Sequence, residues 1–305
     1  MAEKLNLRVG PGKIVPLSNP EKELFPGFTK LQVVNYYVAA SRYLIPHIKQ
    51  RPMSMKRFPD GIRGITFWEK NAPSFTPDWV STFPVPRKTE TGEINYILVN
   101  DVRTLAWCAA IAAIEFHPFL HTTSNLDRPT SIVYDLDPGE GTNILTCAKV
   151  AFDLKKLLEG FGLKSFPKVS GSKGLQIYVP LNSPVSYTAT RAFARMVAQT
   201  FEREQPKLVV SEMSKTLRRG KVFIDWSQNI ETKTTVAVYS LRAKHDRPYV
   251  SMPVKWEELK KAADVGKQSL LYFEPDVALK RLVKMGDLFE PVLKLKQRLP
   301  KVRND

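Results

Sequence analysis

Cysteine is nearly absent: there are two in 305 residues, Cys108 and Cys147, far apart and without Cys-x-x-Cys or Cys/His spacing. That argues against a structural zinc site and fits a reduced, cytoplasmic protein. Long apolar runs are missing as well. The longest, Thr104 to Ile114, falls short of the roughly 20 residues that span a bilayer, and it reads as a buried helix. The opening Met-Ala-Glu-Lys-Leu-Asn is charged and lacks the apolar segment of a secretory signal. Acidic residues are few beside basic ones, 30 against 46, for a formal net charge of +16. Such an excess suits phosphate-rich partners. No basic amphipathic helix with a bulky apolar face is present, which favours nucleic acid over a membrane surface. No internal repeat, low-complexity tract or clear linker appears. At 43% hydrophobic the chain can bury one large domain or two packed lobes.

What is present centres on Ile132 to Thr142, Ile-Val-Tyr-Asp-Leu-Asp-Pro-Gly-Glu-Gly-Thr. In a strand, Val133, Asp135 and Asp137 share one face and Ile132, Tyr134 and Leu136 the other. Two carboxylates about 7 Å apart along that face repel unless a cation lies between them. The pair is therefore a cradle for Mg²⁺ or Mn²⁺, or else simply a strand end that opens a turn. A later strand, Val222 to Asp225, ends in a third carboxylate. Asp225 can complete the three-carboxylate set that two-metal phosphoryl transfer needs.

Other stretches add binding chemistry. Asn19-Pro20 predicts a helix start, and Thr29 with Gln32 predicts a capping box opening a helix to about Ile48, its buried face Leu31, Val34, Val38 and Ile45. Lys22 and Lys30 then sit near helix starts, where anions are favoured. Residues 51–70 interleave cations with Phe67 and Trp68, which suits either base stacking or a strand pair with Phe67 in the core. Residues 76–93 predict a surface loop or hairpin carrying Arg87 and Lys88. A helix is expected from Asn100 or Asp101 to about Phe116, closed by His117. Another runs from Thr142 to about Phe161. Residues 165–180 read strand, glycine loop, strand, and the loop Ser170-Gly171-Ser172-Lys173-Gly174 offers hydroxyls, N–H groups and a lysine for a triphosphate. A helix follows over 187–205. Lys215, Arg218, Arg219 and Lys221 form a basic cluster before Asp225, and a strand over 234–242 ends at Arg242.

Three ordered motifs, Tyr-Asp-Leu-Asp-Pro-Gly-Glu-Gly, Ser-Gly-Ser-Lys-Gly-Leu and Gly-Lys-Val-Phe-Ile-Asp-Trp-Ser-Gln-Asn, resemble the polymerase domain of bacterial and archaeal ligase D. This is the end-joining branch of the archaeo-eukaryotic primase superfamily. The resemblance runs from about Leu17 to Leu288. It implies an α/β (α+β) primase-polymerase fold: a central, mostly antiparallel sheet flanked by helices, with a smaller N-terminal lobe. Residues 1–305 would form a single catalytic domain, stand-alone, without ligase or nuclease segments.

The implied activity is template-dependent nucleotidyl transfer, filling gaps and extending broken 3′ ends in non-homologous end joining with a preference for ribonucleotides. De novo priming and non-catalytic end bridging are the alternatives. The resemblance places the catalytic and metal carboxylates at Asp135, Asp137 and Asp225, holding Mn²⁺ or Mg²⁺. The nucleoside triphosphate falls to His117, Ser170, Ser172, Lys173, Gln176 and Arg242. A recessed DNA 5′-phosphate falls to Lys22 and Lys30, template stacking to Trp68 beside Phe67, and primer or end contacts to Arg87, Lys88, Arg218 and Arg219. Implied partners are gapped or 3′-overhang DNA, Ku and a separate ATP-dependent DNA ligase, in a prokaryotic cytoplasm at the nucleoid. One position departs from the family pattern: Gln176 stands where histidine is usual, so this side chain can donate to a phosphate but cannot become a cation.

Overall fold

The computed structural model describes residues 4–87 and 91–300. The chain forms two compact units: Met1–Ser124 with Thr234–Ser251 and Glu274–Gly286, and Asn125–Lys233 with Met252–Phe273 and Asp287–Asp305. Mixed α/β architecture with antiparallel sheets is as expected. The smaller N-terminal lobe is not: two late segments return to the first unit, which leaves the units nearly equal in length.

The first unit opens with two hairpins. β1 (Lys4–Gly10) pairs with β2 (Lys13–Ser18), and β3 (Glu23–Phe25) with β4 (Phe28–Thr29). No helix starts at Asn19-Pro20. Asn19 turns with φ 51°, and the carbonyls of Pro20 and Lys22 instead accept from Leu31 N and Lys30 N, satisfying the exposed donors of the next helix. That helix, α1 (Lys30–Ile48), has the expected capping box: Gln32 N donates to Thr29 Oγ1 at 3.3 Å and Thr29 N to Gln32 Oε1 at 2.7 Å. Its buried residues include Val33, Tyr37, Ala40 and Leu44, while Leu31, Val38 and Ile45 are only partly covered. Tyr37 draws the face round, its ring on Phe116 at 4.9 Å and its hydroxyl donating to the Ile114 carbonyl.

β5 (Pro52–Arg57), β6 (Phe67–Glu69), β7 (Thr82–Pro86) and β8 (Glu93–Leu98) lead to α2 (Val102–Ala110) and β9 (Ala113–Pro118). These strands make an antiparallel sheet in the order β6-β5-β8-β7, with β9 also on β5. The helix expected to reach Phe116 stops at Ala110, Ala112 turns with φ 63°, and β9 is buried at every residue. An apolar run buried on all sides reads alike as helix or strand, and here pairing with β5 decides. Phe67, for which the sequence leaves both a stacking and a core reading open, lies on the edge strand β6 and is 38% exposed.

The second unit holds β10 (Ser131–Pro138), α3 (Ile144–Gly160), β11 (Phe166–Val169), β12 (Leu175–Pro180), α4 (Tyr187–Glu204), β13 (Val209–Val210) and β14 (Val222–Asp225). Its sheet runs β11-β12-β10-β14-β13, antiparallel except for β13 beside β14. Among the later elements, β15 (Leu241–Arg242) pairs with β16 (Tyr249–Val250), so only the end of the strand expected over 234–242 forms. α5 (Trp256–Val265) and α7 (Glu290–Lys294) belong to the second unit and α6 (Pro275–Met285) to the first. Among the described residues no helix is long and apolar enough to cross a membrane.

Candidate active site

Asp135 and Asp137 lie at the end of β10, where Pro138 and Gly139 stop the strand. Asp225 ends β14 directly opposite Asp135 in the antiparallel ladder, and Asp137 stands opposite Phe223. All three predicted carboxylates therefore share one face of one sheet. Removal from water and then the charge of Asp137, with a further push from Asp225, raise Asp135 to about 7. The Gln176 side chain works the other way, donating from Nε2 to Asp135 Oδ2 at 2.9 Å.

Asp225 is oriented by its own turn. Ser227 N donates to its Oδ1 at 2.8 Å, Gln228 Nε2 to its Oδ2 at 3.0 Å, and Lys233 Nζ lies 3.9 Å away. Asn229, fully buried, clamps that turn to β10 by accepting from Val133 N and donating to Val133 O, both at 2.8 Å. As the side chains stand, no three Asp, Glu, His or Cys groups among the described residues converge tightly enough to enclose a metal ion. The donor set nonetheless suits a hard divalent cation in chemistry and placement. It gathers acceptor-only oxygens on one face, with a mutual repulsion that such a cation relieves.

Two glycines allow the surrounding loops to close on this strand end. A Cβ on Gly139 would lie 1.8 Å from the Arg218 carbonyl oxygen, and one on Gly174 would lie 2.2 Å from that of Leu136 and 3.4 Å from Asp137 Oδ1. The predicted glycine loop is thus held against the carboxylate strand. Its Ser170 hydroxyl accepts from Ser172 N and Gly174 N, each at 3.2 Å, so those N–H groups serve the loop itself. Lys173 is exposed on the same loop. On the other side, the Arg218 guanidinium stacks 3.6 Å over the Phe223 ring, opposite Asp137. Its neighbour Arg219 is exposed, 4.0 Å from Glu140.

The remaining predicted residues lie in the first unit. His117 is on β9, not at a helix end, and its Nε2 is 2.9 Å from Glu115 Oε2. Arg242 Nε is 3.3 Å from the same oxygen, and Ala243 N donates to Glu115 Oε1 at 3.0 Å. Trp68, half exposed, meets the His117 ring edge-on at 4.7 Å. Glu115 thereby organises two predicted residues, His117 and Arg242, yet sequence reasoning missed it. Its signal was a lone acid in the otherwise apolar run Ala113–Phe116. Lys22 and Lys30 are brought together by the β3–β4 hairpin. Lys22 pairs with Asp60 at 2.8 Å, and Lys30 Nζ donates to Ser18 O at 2.6 Å. Burial first, and then the Lys22 charge, lower the pKa of Lys30, a repulsion that a bound anion relieves. Arg87 begins the β7–β8 turn, its N–H on Gly92 O at 3.0 Å, while Lys88 lies outside the described residues.

Residues 29–289 match the family model described as LigD, primase-polymerase domain. Over 282 residues the chain is 40% identical to the multifunctional non-homologous end joining protein LigD of Mycolicibacterium smegmatis, covering 91% of this chain and 36% of that protein. Its identity to the bifunctional LigD of Bacillus subtilis is 34% over 260 residues, 85% of this chain and 40% of that one. The chain thus spans well under half the length of these relatives. Among solved structures, the polymerase domain from Mycobacterium tuberculosis ligase D in complex with DNA matches with a TM-score of 0.83 at 39% identity, covering 91% of this chain and 97% of that chain. Since the family match takes in β10, the glycine loop and β14 alike, the chain belongs to the LigD primase-polymerase domain family.

Proposed function

We propose that this chain is the catalytic domain of a template-dependent DNA-repair polymerase. It adds nucleotides, ribonucleotides by preference, to 3′ ends at gaps and breaks during non-homologous end joining. The observation that carries the reading is the register that sets Asp225 opposite Asp135 with Asp137 on the same face. Two divalent cations, Mn²⁺ or Mg²⁺, bound by these carboxylates would activate the attacking 3′-hydroxyl and neutralise charge on the phosphate.

The chain's own groups supply the positioning. Gln176 and the Ser227–Gln228 turn fix the carboxylate oxygens, and the loop from Ser170 through Ser172 to Lys173 presents an ammonium to a triphosphate. Arg218, flattened on Phe223, offers a guanidinium to the primer end, with Arg219 beside it. His117 and Arg242, organised on Glu115, serve as nucleotide contacts, and Trp68 with Phe67 serves the template base. Lys22 and Lys30 grip the 5′-phosphate, and the Arg87 hairpin contacts DNA ends. The DNA is gapped or carries 3′ overhangs, and Ku and an ATP-dependent ligase act with the protein at the chromosome in the cytoplasm.

Primer extension on a one-nucleotide gapped duplex tests the reading, with Mn²⁺ and a downstream 5′-phosphate or 5′-hydroxyl. We expect extension stimulated by the phosphate, loss of that stimulation in Lys22→Ala, and loss of incorporation with DNA binding kept in Asp135→Ala. Extension indifferent to the phosphate would point to priming instead. No extension at all would leave an end-bridging protein.

A further inference from the structure

On α4, Arg191 and Arg195 stand about one helical turn apart, an i,i+4 pair on one face. Their guanidiniums lie 5.8 and 5.4 Å from the centre of the same ring, the indole of Trp226. That ring is fixed. Its Nε1 donates to the Ser211 carbonyl at 3.1 Å, and Trp226 opens the short turn whose Ser227 and Gln228 hold Asp225. Beside the pair lies a recess of about 340 Å³ lined by Tyr187, Thr188, Arg191, Ala192, Arg195 and Glu231. All of these residues belong to the second unit, and none has a part in the site described above.

Like charges at i,i+4 destabilise a helix, and the indole is a weak counterweight to two full positive charges. The lining adds one acid, Glu231, against two guanidiniums, so the recess keeps a net positive charge. Contact with a ring engages the charge of a guanidinium and leaves its N–H groups to donate to an oxygen acceptor. Arginine presents those donors as a planar fork that matches the oxygens of a phosphate. The recess is also many times the ~30 Å³ of a water molecule, with Tyr187 and Ala192 as apolar walls. It has room for a sugar as well as a phosphate, and a small inorganic anion would leave those walls unused.

We propose that Arg191, Arg195 and Trp226 form a clamp for the DNA backbone. The two guanidiniums take neighbouring phosphates of one strand, and the sugar between them packs against Tyr187 and Ala192. Such a clamp positions DNA without reading its sequence, since backbone contacts carry no base information. Through Trp226 it abuts the turn that orients Asp225, so the strand is held on the unit that carries the carboxylates. The clamp rests on the DNA-repair reading above, because its occupant is DNA.

Fluorescence anisotropy of the whole chain with a labelled duplex bearing 5′-hydroxyl ends, over a salt series, tests the clamp. Arg191→Gln and Arg195→Gln should each lower the magnitude of the salt slope by about 1, and the double variant by about 2. Arg203→Gln with Lys207→Gln removes the same charge from exposed positions at the far end of α4 and just beyond it. That control should change the slope by less than about 0.5. Equal reductions in the two double variants would put Arg191 and Arg195 in the diffuse positive field, and an unchanged slope without them would empty the recess of DNA. Either result overturns the clamp. So would inorganic phosphate that competes with DNA at constant ionic strength for wild type but not for the Arg191→Gln, Arg195→Gln protein, which would assign the recess to a small anion. A wild-type chain without affinity for DNA would sink the repair reading itself, whereas DNA binding with equal slopes sinks the clamp alone.

Discussion

Glu115 shows how one side chain can set the electrostatics around several others. Burial alone would raise its pKa, but the His117 hydrogen bond, the Arg242 charge and the Ala243 N–H outweigh burial and hold it well below the ordinary carboxylate range. A depressed folded-state pKa gives stabilisation that is fully present above the unfolded value, about 4.3 for Glu, and is lost as pH falls through the folded value. The melting midpoint should therefore lose nothing to this residue between about pH 7 and pH 5 and should drop in acid below the unfolded value. Glu115→Gln should lower the midpoint at pH 7 by several degrees, because His117 and Arg242 lose their shared acceptor charge, and should flatten the acid limb. Scanning calorimetry against pH decides this, and parallel pH profiles for the two proteins would remove Glu115 from its organising role.

At the scale of elements, the glycine loop between β11 and β12 is open to disruption by a small change. Gly174 has no Cβ to strike the Leu136 carbonyl, so Gly174→Ala must push the loop off the end of β10. A displacement near 1 Å in positioning groups can cost on the order of 10²-fold in rate. We expect kcat/KM for nucleotide addition to fall by about that factor while DNA affinity stays unchanged, read from primer extension beside a binding assay. Near-normal turnover would mean the loop can retreat without harm.

This loop and both carboxylate strands were legible in the sequence because each couples a period of two to a local breaker: Pro138-Gly139, Gly171 to Gly174, or the turn after Asp225. The α2–β9 boundary was not, since Leu105 to Phe116 contains no polar punctuation apart from the easily overlooked Glu115. Nor could the sequence set Gln176 and Asp225 on either side of Asp135. That neighbourhood arises from the strand order β11-β12-β10-β14, which non-local pairing decides. The turn at Asn19-Pro20 was misread for a similar reason. Its carbonyls serve the N-terminus of α1, a bond that local propensity does not reveal.

For the molecule as a whole the governing quantity is charge. With 46 basic residues against 30 acidic ones, most of the attraction for a nucleic acid is independent of its sequence. Each phosphate neutralised releases counterions, so log K should fall linearly with log salt, and a footprint of about six contacts would lose roughly 10³ in affinity between 50 and 200 mM. Within that general attraction, the fold presses Lys22 and Lys30 together against their mutual repulsion, which the anion of the proposed 5′-phosphate site would relieve. The expectation is then specific. On a gapped duplex bearing a 5′-phosphate, Lys22→Ala should reduce the magnitude of the salt slope by about 1. On the same duplex with a 5′-hydroxyl it should leave the slope unchanged. Fluorescence anisotropy over a salt series measures both slopes. An equal reduction on the two duplexes would place Lys22 in the diffuse field and take the 5′-phosphate site away from this pair.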